Sequence, residues 1–359
     1  MEEEQQEEKT VINNCPNCGG VLKYSIKEGE LKCPNCGYIQ PIENNDAVMR
    51  RELTDDILKS KDTWTEAKVY RCDNCGAKQV LDKKDISQVC PFCGSPNIVC
   101  TEEMSGIKPD SLIPFQITNN ASEELFKKWI SSRKLAPHNL KSDDIREHLN
   151  RIYCPTWSFS ANVFANYNGV LGKSETYTKR DINGNLTTET RINWFNVSGQ
   201  MTKTYTDYII QSSDRISPII FNKLKPFDLK NIKNYQQEYL SGISAQQYTR
   251  NIDVCFNDFS NNVRSDIRRM IMQKYNADSV RFLNIQLTYP DKRFNYLLLP
   301  LYIANYEYKN KTYNFYINGI SGKVIGKSPI SKLKIFLITA GVVITAGIVV
   351  FLLKYFNVF

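Results

Sequence analysis

The sequence predicts an α+β protein with two N-terminal zinc ribbons, a mixed α+β cytoplasmic domain and one C-terminal transmembrane helix. Three observations predict it. Eight of the eleven cysteines fall into four CxxC pairs within the first hundred residues. Strand-like alternation and helical periodicity are interleaved over residues 109–330. Near the C-terminus, 19 consecutive residues carry no charge.

The ribbons come first. Cys15/Cys18 and Cys33/Cys36 enclose 14 residues, and so do Cys72/Cys75 and Cys90/Cys93. Adding 57 to each cysteine number of the first set gives the second, so this is an internal repeat. It places ribbon 1 at 10–40 and ribbon 2 at 66–100. Each pair is followed by a glycine (Gly19, Gly37, Gly76, Gly94), which accepts the positive φ of a tight knuckle. The intervening VLKYSIKEGELK and KQVLDKKDISQV read as hairpins. Four thiolates at about 2.3 Å close a tetrahedral zinc site with no position left for water. The eight cysteines are therefore candidate ligands of two structural zinc ions, and the metal supplies stability that so small a core lacks. Substituting Cys15 or Cys72 is expected to lose one zinc and unfold only its own ribbon. The chain begins MEEEQQEEKT, without the apolar run of a signal peptide, so its thiols are expected to stay reduced rather than form disulfides.

Charge excludes a strong nucleic-acid field. Lys+Arg number 46 against 38 Asp+Glu, for a formal net charge of +8. Each zinc–tetrathiolate site adds −2, so two sites lower +8 to +4. Around the knuckles, Lys23, Lys27, Lys32, Arg71, Lys78, Lys83 and Lys84 alternate with Glu28, Glu30, Asp73, Asp82 and Asp85. Such a mixed surface leaves nucleic-acid binding possible but favours a protein partner.

Residues 41–65 read as a polar linker with one weak helix in MRRELTDDILKS. Within 109–330, residues 121–134 place Leu125, Phe126, Trp129 and Ile130 on one helical face. Ser142 looks like an N-cap for a helix over 142–150. Residues 152–220 are strand-like, with turns expected at Asp181–Asn185 and Ser198-Gly199. A helix over roughly 244–275 has Tyr248, Ile252, Phe256, Phe259, Val263, Ile267 and Met270 as its apolar stripe. Strands return in VRFLNIQLTY, NYLLLPLYIANYEY, KTYNFYIN and KVIG, with a GISG turn between the last two.

The final element is 335–353, IFLITAGVVITAGIVVFLL, long enough at about 1.5 Å per residue to cross a hydrocarbon core of about 30 Å. It is apolar on every face. Lys323, Lys327, Lys332 and Lys334 precede it and only Lys354 follows. The positive-inside bias places the N-terminal bulk in the cytoplasm, as a single-pass protein of the cell membrane. The lipid bilayer is thus an expected partner, and these lysines can meet anionic headgroups.

Catalytic signatures are missing. The two histidines, His138 and His148, cannot supply an HExxH site. The Gly169–Ser174 and Gly322–Ser328 stretches have two and three residues where a phosphate loop needs four. Cys100, Cys154 and Cys255 have no histidine partner in sequence, and Cys255 lies beside an apolar helix face as a packing residue. The expectation is a protein that is not an enzyme.

The chain resembles the bacterial TFIIB-type zinc-ribbon membrane proteins, some of them labelled primosomal or helicase-like. The likeness rests on CGA…CPFCGSPNIV, LIPFQIT, IYCPTWSFS, EYLSGISAQQY and LLLPLYIANYEYKNKTYNFYINGISGKVIGKSPISK, and spans nearly the whole chain. It implies an anchoring role beside stomatin-like SPFH scaffold proteins and phage-shock-type stress factors. The sequence therefore points to a membrane-anchored adaptor that recruits or scaffolds a protein partner. The alternative is a membrane-tethered nucleic-acid binder.

Overall fold

The computed structural model describes residues 14–43, 48, 50–59, 68–81, 90, 92, 98–101, 107–136, 149–180, 186–308 and 311–355. The first ribbon holds β1 (Lys23–Ser25), β2 (Glu30–Lys32) and β3 (Ile39–Gln40), which form a small antiparallel sheet. Gly29, at φ 74°, makes the β1–β2 turn, and Tyr24 pairs with Leu31, both buried. The linker contributes β4 (Arg51–Glu52) and the short α1 (Asp55–Lys59). The expected linker helix is thus reduced to one turn, because Arg51 and Glu52 pair instead with a distant strand.

The second ribbon contributes β5 (Lys68–Cys72), β6 (Lys78–Leu81) and β7 (Ile98–Thr101). Next come β8 (Ser111–Leu112) and α2 (Asn119–Ser131). Thr118 caps α2 by accepting the Ala121 N–H at 3.3 Å, which starts the helix two residues before the expected 121. Phe126 and Ile130 are buried and Leu125 and Trp129 half-buried, so the predicted face is the one that packs. The expected helix over 142–150 lies outside the described residues up to 148, and Leu149 and Asn150 belong to a strand.

That strand, β9 (Leu149–Arg180), is 32 residues long and pairs along most of its length with β10 (Leu186–Gln211). The turn expected at 181–185 lies outside the described residues, but Arg180 and Leu186 are paired across it. Ser198-Gly199 is not a turn. Both residues lie inside β10, where the Tyr167 hydroxyl stands 2.8 Å from the place a Gly199 Cβ would take. The glycine answers packing, not chain reversal.

Then follow α3 (Pro218–Leu224), β11 (Lys233–Asn234), a 3-10 turn (Gln237–Leu240), β12 (Ser244–Gln246) and α4 (Ile252–Lys274). The long helix thus begins eight residues later than expected, because 244–246 is drawn into the sheet. Last come β13 (Ser279–Thr288), β14 (Arg293–Tyr308), β15 (Lys311–Asn318), β16 (Val324–Gly326) and α5 (Lys332–Tyr355).

Thirteen strands form one mixed sheet with the order β11-β8-β14-β9-β12-β6-β5-β7. β10 and β13 pair with β9, β15 and β4 with β14, and β16 with β15. Only β12 with β9 and β14 with β8 run parallel among these pairings. Burial along β9 records its surroundings. Ile152–Phe159 are all buried, residues 161–169 alternate, and 176–180 are exposed. Two prolines sit in this central region at changes of neighbour. Pro155 falls between the pairings of β9 with β12 (to Tyr153) and with β10 (from Thr156). Pro300 falls between the pairings of β14 with β8 (to Leu298) and with β15 (from Leu301). A proline lacks a donor, so it is tolerated where a ladder is interrupted.

The main core lies between β9, β10, β13 and α4. Ile252, Cys255, Phe259, Val263, Ile267 and Ile271 are buried at three- and four-residue spacing, and Phe259 stacks on Phe159 at 5.4 Å. Cys255 is packing, as expected. A second cluster joins Ile152, Cys154, Leu297 and Leu299 to Phe221 and Leu224 of α3. Over Leu333–Leu352 of helix α5 no residue is buried, and Leu333, Phe336 and Val343 are exposed over most of their surface.

Candidate metal centres

The first knuckle is built by Cys15 N–H donating to the Gly20 carbonyl at 2.6 Å and Gly19 N–H to the Cys15 carbonyl at 2.8 Å. The second repeats this with Cys33 to Tyr38 at 2.8 Å and Gly37 to Cys33 at 3.0 Å. A third knuckle in ribbon 2 repeats it again, with Cys72 to Ala77 at 2.9 Å and Gly76 to Cys72 at 2.7 Å. Gly19, Gly37 and Gly76 have φ of 72°, 79° and 68°, so the glycines do what their position predicts.

These turns bring the Sγ atoms of Cys15, Cys18, Cys33 and Cys36 within 4.8 Å of one another, and those of Cys72, Cys75 and Cys90 likewise. Cys93 lies outside the described residues. Cys15–Cys36 and Cys18–Cys33 approach to 3.4 and 3.5 Å, and Cys75–Cys90 to 3.6 Å. Tetrahedral zinc with bonds of about 2.3 Å separates its sulfurs by about 3.8 Å, so the residues fit the ion. The electrostatics fit as well. The Tyr38 N–H and the neighbouring thiols pull the Cys36 thiol down to about 6. The Gly20 N–H would do the same for Cys18, but hydrogen bonds with Cys33 and Cys36 push it up to about 12. One thiolate suppresses the next, and a dication at the centre removes that conflict. Closed sets of this type are structural. The chain carries two cysteine clusters of the tetrathiolate type, suited to structural zinc.

Both ribbons are tied to the rest of the chain through residues 239–247, and the second also through Arg215. Ser241 Oγ donates to the Leu22 carbonyl at 2.7 Å, the Tyr24 N–H to the Ser241 carbonyl at 3.3 Å, and Tyr24 meets Tyr239 at 5.3 Å between ring centres. Three residues on, β12 pairs with β6 of ribbon 2 and with β9. Gln247 N–H donates to the Lys78 carbonyl at 3.3 Å, and Arg215 Nη1 to the Cys75 carbonyl at 2.5 Å. Sequence reasoning missed these docking residues, although EYLSGISAQQY stood out as a motif. Both ribbons therefore pack against the rest of the fold.

Among the described residues the other candidates hold no site. The Cys154 thiol is pushed up to about 12 by burial, and Cys255 likewise to about 12. Gly169–Ser174 lies in β9 and Val324–Gly326 in β16, so neither stretch opens a helix as a phosphate loop must. His138, His148 and the Cys100 side chain lie outside the described residues.

The family model for Trm112p-like proteins matches residues 14–45, the first ribbon. Over 322 residues the chain is 27% identical to the uncharacterized protein YdjG of Bacillus subtilis (strain 168), covering 89% of this chain and 91% of that one. The similarity therefore runs far beyond the ribbons. No solved structure matches. Metal binding is the function that the ribbon and its cysteines support directly.

Proposed function

We propose that this protein is a non-enzymatic adaptor, anchored by α5 in the cell membrane with its bulk in the cytoplasm, that recruits a protein partner. The reading rests above all on α5, a 20-residue apolar window of mean hydropathy 2.7 with no residue buried in the fold. A soluble domain does not leave such a helix bare. The zinc clusters are closed and brace the sheet, so they support scaffolding rather than chemistry. A partner of the SPFH type agrees with the resemblance of the ribbon, IYCPTWSFS and LLLPLYIANYEY segments.

The hairpin of β9 and β10 is the element that suits recruitment. Beyond Gly172, the last level reached by β13, eight residue pairs continue with no third strand among the described residues. They form a two-stranded arm of roughly 26 Å. Tyr177, Leu186 and Ile192 are 48%, 68% and 41% exposed on it. Its base is fixed by the Asp278 carboxylate, which accepts the Ser174 N–H at 2.9 Å, and by Arg281 stacked over Trp194 at 4.6 Å. A rigidly based arm with free edges can accept a strand from another protein. Fractionation tests the proposal. Removing residues 332–359 should release both chain and partner from membranes. Replacing 175–190 by a tight turn should release the partner alone. A partner that stays membrane-bound in both variants would refute the adaptor role.

A further inference from the structure

The start of α5 is not a simple tether. The Ser331 N–H donates to the Leu135 carbonyl at 2.9 Å, and Lys334 Nζ donates to the Ala136 carbonyl at 2.5 Å. Both acceptors follow the C-terminal end of α2, some 200 residues earlier in the chain. The first turn of α5 is thereby fixed against α2, so the two share one depth at the bilayer.

This junction is cationic. Arg133 and Lys134 at the end of α2 are exposed, as is Lys327 on the approach to α5. Arg133 lies over the Trp129 ring at 4.6 Å, which holds its guanidinium at the end of the helix. Neither Arg133, Lys134, Lys327 nor Lys334 has an ion-pair partner among the described residues. Exposed Lys311, which opens β15, lies beyond Phe315 of that strand, and the Phe126 and Trp129 rings of α2 pack on Phe315 at 5.0 and 5.1 Å. The acidic residues of α2, Glu123 and Glu124, sit in its first half, away from this end.

From this placement we infer that the α2–α5 junction is a headgroup-binding collar that takes anionic phospholipid, with Arg133, Lys134 and Lys327 as the contacting cations. It rests on the reading of α5 as a membrane anchor. The collar differs from a basic flank in the linear sequence, because Arg133 and Lys134 come from the segment that follows α2. Cations held within a Debye length of an anionic leaflet gain roughly fivefold in affinity each. A neutral phosphatidylcholine surface gives no such gain.

The test uses the full chain in vesicles of phosphatidylcholine alone or mixed with phosphatidylglycerol. A photo-crosslinking residue replaces exposed Ser132 at the end of α2. The collar predicts lipid adducts in the phosphatidylglycerol vesicles, at least roughly tenfold weaker in R133Q/K134Q/K327Q and suppressed by high salt. The charge-matched K173Q/K179Q/R180Q variant, on the exposed hairpin arm, should leave the adducts unchanged. Equal adducts in both vesicle types, or no loss in the first variant, would overturn the collar while α5 remains inserted. A chain that fails to float with either vesicle would remove the anchor, and the collar with it.

Discussion

Loss of the second zinc should weaken the central sheet, not only its own ribbon. In Cys72→Ser, three thiolates cannot close the cluster, and the knuckle that fixes β5 and β6 loosens. The links at stake are specific. β6 pairs with β12 at Ala245↔Val80 and Gln246↔Gln79, Gln247 N–H reaches Lys78, and Arg215 reaches the Cys75 carbonyl. At about 1 kcal/mol for each of the three neutral links and about 2 kcal/mol for the charged one, the loss is about 5 kcal/mol. That is a large share of the roughly 5–15 kcal/mol that holds a domain together. β12 is also the outer neighbour of β9 at Ile152 and Tyr153, so the damage reaches the centre of the sheet. The assay is amide exchange of Ser244–Gln246 in the detergent-solubilised full chain, with zinc content measured on the same sample. Exchange there should accelerate by roughly three to four orders of magnitude. Unfolding in urea, followed by buried Trp157, should begin at lower denaturant. A variant that lacks one zinc but keeps wild-type exchange at β12 would refute the structural coupling.

Other outcomes follow from single sites. Gly37→Ala meets no atom within 4 Å but keeps φ at 79°, so it should cost about 1 kcal/mol of backbone strain and weaken zinc retention in a chelator competition. The Asp266 carboxyl loses hydration, but hydrogen bonds from Lys203, Tyr205 and Arg269 outweigh this and hold it at about 2. Its folded value lies below the unfolded one, so the stabilisation is present above about pH 4 and is lost as pH falls towards 2. Asp266→Asn should remove about 1 kcal/mol at neutral pH, after allowance for solvent screening, and flatten that acid limb in pH-dependent denaturation. In the zinc-loaded protein at pH 8, Cys154 and Cys255 should resist alkylation until urea is added, because burial holds both thiols at about 12. Rapid labelling of either in the native state would contradict the packing described for it.

What could be read from the sequence is what chemistry forces into spacing or composition. Zinc demands paired cysteines and a positive-φ glycine, so the ribbons were legible down to Gly19, Gly37 and Gly76. A bilayer demands an uncharged run, so the span was legible to within two residues at each end, 335–353 against Leu333–Leu352. The apolar stripe of α4 was legible because Phe259, Val263 and Ile267 repeat with helical period. Features set by distant partners were not. Ser244–Gln246 reads as the start of a helix but pairs with residues 152–153 and 79–80, and nothing local announces that. Ser198-Gly199 reads as a turn, whereas the glycine makes room for Tyr167. The two ribbons look equivalent in sequence, yet one docks on Ser241 and the other is sewn into the main sheet.

The most direct test of the account is vesicle flotation of the full chain beside a chain ending at residue 331, with zinc measured in both. The full chain should rise with the lipid, and the shortened one should stay at the bottom as a folded protein with two zinc ions. A shortened chain that still floats, or a full chain that stays behind without detergent, would contradict the anchoring on which the proposed role depends.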